Sequence, residues 1–89
     1  MLKIVGDDRG RETGLLRLEG RLVGPWVEEL RRTCGAARAS AGRVTLDLQH
    51  LSFVDLEGLK LLEDLAEQDA VLVNCSAFVT EQLKAWRRR

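Results

Sequence analysis

The stretch VTLDLQHLSFVDLEGLKLL, residues 44–62, changes its hydrophobic period part-way along. Val44, Leu46 and Leu48 alternate with Arg43, Thr45 and Asp47, the period-two pattern of a strand with one dry face. Leu59, Leu62, Leu65 and Ala66 then recur at helical spacing with Leu61 beside them, so a helix starts at the acidic turn between the two patterns. Asp55 suits the N-cap of that helix, where its carboxylate accepts a hydrogen bond from a first-turn N–H. Glu57 adds negative charge near the positive end of the helix dipole, and Gly58 permits close backbone approach. Leu16 and Leu18 repeat the one-sided alternation against Arg17 and Glu19. A parallel sheet covered on both faces would read as continuous apolar runs, so the helices are expected on one face only.

Upstream of this stretch, LKIV and GLLRLEG read as strands joined by GDDRGRET, a run of turn-forming residues, which makes a hairpin. GPWVEELRRTCGAARA reads as a helix. Gly24 can cap it, Pro25 suits its first position, Glu28 and Glu29 lie near its positive end, and Val27, Leu30, Cys34 and Ala37 form one stripe. Gly35 weakens its middle by up to about 1 kcal/mol relative to alanine, so fraying is expected beyond it. The third strand is expected over GRVTLDLQHL, with His50 in the loop that follows. Downstream, AVLVN reads as a compact buried strand. Ser76 is placed to cap a last helix carrying Val79, Leu83 and Trp86. The order β, β, α, β, α, β, α implies a two-layer α/β sandwich: a mixed four-stranded sheet, antiparallel at its N-terminal hairpin and parallel thereafter, with helices on one face.

Eighty-nine residues fit a single domain spanning 1–89. At 45% hydrophobic and 31% charged, the composition is that of a soluble globular protein, and no apolar run reaches the ~18 residues of a membrane span. The start, MLKIVGDDRG, is too short in apolar residues for a signal peptide, so a cytoplasmic location is expected. Cys34 and Cys75 have no metal-ligand spacing near either and read as small, reduced apolar residues. A formal net charge of zero lacks the basic footprint of nucleic-acid binders. Between Asp47 and Asp69, however, seven acids face one base, Lys60, a segment that could meet a basic partner.

Little in the chain points to catalysis. There is no glycine-rich phosphate loop, no histidine pair and no serine or cysteine with a histidine placed to activate it. Asp47, Asp55 and Glu57 are hard-cation ligands by type, but Asp47 lies on the polar face of its strand while Asp55 begins a helix, so no metal site and no cofactor are expected. Trp26, Phe53, Phe78 and Trp86 stand in apolar patterns without interleaved bases and read as core or partner contacts.

The chain resembles the STAS family, the anti-sigma factor antagonist type of domain found alone or attached to sulfate transporters and bacterial sensors. The resemblance runs through LRLEGRLVGPWVEEL, VTLDLQHLSFVDLEGLKLL and the serine-led last helix. Gly20, Val44, Leu46, Asp47, Leu48, Phe53, Val54, Asp55 and Gly58 match the family pattern, whose turn reads aspartate, serine, serine or threonine, glycine. Here Leu56 stands at the family's phosphorylated serine and Glu57 at its neighbour. The resemblance implies a non-catalytic regulatory module in bacterial signal transduction and transcription regulation. Its partner surface would comprise Asp55, Leu56, Glu57, Gly58, Lys60, Glu63 and Asp64, and its protein partner would be an anti-sigma factor kinase or a related sensor. It also implies loss of the serine phosphoswitch, with Ser52 as the nearest upstream hydroxyl. The alternative is a domain sensing a small ligand or nucleotide.

Overall fold

The structure, a computed structural model, describes residues 2–6 and 13–87. The expected turn GDDRGRET lies largely outside the described residues. Among them the order is β1 (Leu2–Gly6), β2 (Leu15–Leu22), α1 (Pro25–Ala41), β3 (Thr45–Val54), α2 (Leu56–Glu67), β4 (Val71–Val73) and α3 (Ala77–Arg87). The strands lie side by side as β1-β2-β3-β4. β1 and β2 pair antiparallel, and both later pairs are parallel, as the helical connections require.

Alternation decides where the core sits. Leu16, Leu18, Leu46 and Leu48 point to one face and are buried there with Val27, Leu30 and Cys34 of α1, Leu59, Leu61, Leu62 and Leu65 of α2, and Val79 of α3. Arg17 and His50 on the polar side are exposed, while Glu19, Thr45 and Asp47 are half-buried. The mixed sheet with helices on one face is therefore the observed architecture. Asp47 stays among its own neighbours, accepting hydrogen bonds from Gln49 N at 3.0 Å and Asn74 Nδ2 at 3.2 Å. These bonds, the backbone one foremost, hold its carboxyl below the usual carboxylate range.

Three sequence expectations are corrected. First, α1 does not fray at Gly35 but runs to Ala41. Its stop is Gly42, at φ 76°, whose N–H donates to Arg38 O at 2.7 Å. Arg38 also donates to Gln68 O at 2.8 Å and Gln68 Oε1 at 3.0 Å, tying the last turns of α1 to the end of α2. Second, His50 lies within β3, opposite Glu19, because the strand continues to Val54. Twice the register gives β3 one residue more than β2, between Arg17 and Glu19 and again between Gly20 and Arg21. Each bulge changes which residues face inward, so Leu48, Leu51 and Val54 are all buried at a spacing of three. Third, β4 is an edge strand of three residues with Val71 52% exposed, not a compact buried one.

Candidate functional site

α2 begins where β3 leaves the sheet, and Asp55 fixes the junction. Its Oδ1 accepts from Gly58 N at 2.8 Å, closing the first turn as expected of an N-cap. Its Oδ2 accepts from Gly24 N at 3.0 Å, and its own N–H donates to Leu22 O at 3.1 Å. One side chain thus joins the start of α2 to the turn before α1. Gly58 completes the joint. A Cβ there would stand 2.7 Å from Val54 Cγ1 and 2.9 Å from Leu22 O, closer than real Cβ contacts allow.

The remaining predicted residues are displayed on this frame. Leu56 is 45% exposed at the first position of α2. Glu57 and Lys60 are exposed and pair at 3.4 Å, and Lys60 Nζ also lies 5.9 Å from the Trp86 ring centroid. Glu63 is half-buried on the same helical stripe as Leu56, with Oε2 buried and without a hydrogen-bond partner. Asp64 is exposed but turns the other way, lining a cleft between α1 and α2 with Arg31, Cys34, Arg38 and Gln68. Thus Asp55, Leu56, Glu57, Gly58 and Lys60 share one end of α2, whereas Asp64 faces α1.

Sequence reasoning missed the contribution of α3. Leu56, Leu59, Gln82, Ala85 and Trp86 line a groove of about 170 Å³ between α2 and α3. Gln82 Nε2 donates to Val54 O at 3.0 Å, which anchors α3 to the peptide preceding Asp55. Phe78 is 53% exposed and packs against Phe53 with ring centroids 6.4 Å apart, beneath Arg21 at 5.3 Å from the Phe53 centroid. Phe78, Gln82 and Ala85 at i, i+4 and i+7 would have revealed this face, had the helical stripe been read on both sides of α3.

Solved structures settle the architecture. The anti-sigma factor antagonist SpoIIAA in its unphosphorylated form matches with a TM-score of 0.65 over 94% of this chain and 82% of that one, at 23% identity. The fold is that of SpoIIAA. No protein-family model and no curated protein matches the chain. Among the described residues no helix is long and apolar enough to cross a membrane, and no group of three metal-ligating side chains is assembled.

Proposed function

We propose that this chain is a non-catalytic regulatory module that binds a protein partner through the start of α2. The partner is an anti-sigma factor kinase or a related sensor, and the setting is cytoplasmic control of bacterial transcription. The observation that carries this reading is Leu56, a large apolar side chain 45% exposed on a turn that Asp55 and Gly58 make rigid. An exposed apolar residue on a fixed frame, lining one groove with Ala85 and Trp86, suits a contact surface better than a reaction site. The likeness to SpoIIAA supports it through the fold. The groove beside Leu56, about 170 Å³, is smaller than the roughly 300–1,000 Å³ of small-molecule pockets, so at this end of α2 a protein contact is favoured over a nucleotide.

The module works without a serine switch at the turn. Leu56 has no hydroxyl, and the Ser52 hydroxyl donates to Gly20 O at 2.9 Å, holding a bulged part of the sheet. Glu57 carries a fixed charge one residue on, about 100° around the helix, and Lys60 balances it at 3.4 Å, so it stands in for a phosphate poorly. The domain is therefore held in one binding state. Titration of an anti-sigma factor kinase from the source cell against the native chain, Leu56→Asp and Lys60→Glu tests this. Affinity is expected to fall at least tenfold for Leu56→Asp with the fold intact by circular dichroism. Intact-mass measurement after incubation with the kinase and ATP is expected to show no added phosphate. Unchanged affinity in both variants would place the interface elsewhere, and a phosphate on Ser52 would restore a switch.

A further inference from the structure

At the opposite edge of the sheet, β1 has no strand on its outer side among the described residues. Alternate N–H and C=O groups of Leu2–Gly6 therefore face away from β2 and are open to pairing. Ile4 lies opposite Leu18 and Leu2 opposite Gly20, which places both side chains on the helix-bearing face. α1 roofs that face. A cleft of about 410 Å³ separates the two, floored by Leu2, Ile4 and Leu16 and walled by Trp26, Glu29 and Thr33, which fall at i, i+3 and i+7 on α1. The cleft lies where the inward side chains of one more strand would sit.

We propose that this edge is a second docking surface, which accepts an extended segment of a partner protein as a strand added to β1. Main-chain hydrogen bonds would hold the segment, and its alternate apolar side chains would enter the cleft beneath α1. Charge narrows the occupant further. Among the described residues Glu29 is the single charged one lining the cleft; it is exposed and is in none of their ion pairs. The fitting segment therefore carries a lysine or arginine beside its inward apolar residues. The inference is independent of the α2 surface, and it gives a small domain two faces that can be engaged at once.

The probe is a synthetic peptide, acetyl-Lys-Thr-Ile-Thr-Ile-Thr-Lys-amide, whose lysines and isoleucines share one face of the strand, titrated into the full 15N-labelled chain. Amide shifts are expected along β1 and at Trp26, Glu29 and Thr33. Binding is expected to weaken at least fivefold in Glu29→Lys and for a peptide with glutamates in place of both lysines. Thr33→Trp, which fills the cleft from a half-buried position on its wall, is expected to abolish it. Leu56→Asp is expected to leave it unchanged, which separates this surface from the one at α2. Shifts confined to α2 and α3, or equal binding of the acidic peptide, would overturn the proposal. So would the absence of any shift up to millimolar peptide. Sedimentation showing that the free chain dimerises, and that Thr33→Trp breaks the dimer, would overturn it in favour of a second copy of this chain.

Discussion

Asp55 uses both carboxylate oxygens on backbone N–H groups that belong to different turns, which makes it a structural clamp before it is anything else. Asp55→Ala leaves Gly58 N and Gly24 N without their acceptor and is expected to cost about 1–3 kcal/mol in urea melts. Asp55→Asn should recover part of that. Its carbonyl can still accept from Gly58, but its NH2 then meets the Gly24 N–H, donor against donor. Gly58→Ala tests the same joint sterically. The added methyl meets the Leu22 carbonyl at 2.9 Å, a backbone atom that cannot swing aside, and a loss of about 1–3 kcal/mol is expected. Far from the turn, Cys34 makes a pH-dependent contribution. Burial pushes its thiol up to about 11, whereas the unfolded chain ionises near the ordinary value of 9.0. Between those values the unfolded state has lost a proton that the native state keeps, so stability falls as pH rises, by up to about 1.4 kcal/mol per pH unit. The slope should shrink in Cys34→Ala. At neutral pH, iodoacetamide is expected to label half-buried Cys75 before buried Cys34.

At the scale of elements, α1 shows how tertiary packing outweighs local propensity. Gly35 costs its helix conformational freedom, yet Val27, Leu30 and Cys34 bury one side and Arg38 ties the far end to Gln68. A Cβ at Gly35 would meet nothing within 4 Å. Gly35→Ala is therefore expected to raise stability by about 0.5–1 kcal/mol, read as a higher urea midpoint with the same slope. The same element shows what a single sequence can carry. The apolar stripes of α1 and α2, the Pro25 start, the Asp55 cap and the Ser76 cap, where Val79 N donates to Ser76 Oγ at 3.1 Å, were all legible, because each depends on residues within a few positions. The length of β3 was not. Its two bulges are defined by the pairing with β2, and a strict alternation loses the strand where the partner skips a residue. β4 misled for a related reason, since a run of apolar residues does not state whether one neighbour or two will flank it.

Over the whole molecule, the sheet order and the one-sided helix layer followed from alternation and from short connections. The grouping of the site followed only in part, because α3 reaches it across the sheet from more than twenty residues away. That long-range contact is also the weakest seam of the fold. α3 adds one fully buried side chain to the core, Val79, with Leu83 and Trp86 packed at its margin, and holds the β3 end by the Gln82 to Val54 bond. The α2–α3 side of the molecule also keeps two buried acceptors without partners, Glu63 Oε2 and Gln82 Oε1, each a cost to docking. β4 adds three paired residues at the edge, whereas β2 and β3 share a long ladder in the middle. Native-state hydrogen exchange is therefore expected to separate two classes, with α3 and β4 amides opening locally and β2 and β3 amides exchanging through global unfolding. Two substitutions distinguish this from a single cooperative unit. Leu62→Ala destabilises a core that persists when α3 undocks, so it should accelerate the β2 and β3 amides, by the equivalent of about 2–5 kcal/mol, while the α3 amides keep their rate. Gln82→Ala removes a bond present in the native state and absent from both the undocked and the unfolded states. It should accelerate both classes alike, roughly fivefold for a bond of about 1 kcal/mol. If the α3 amides exchange as slowly as those of β3 and follow Leu62→Ala in step, α3 is part of the global unit. The groove beside Leu56 is then a fixed surface and not one that opens.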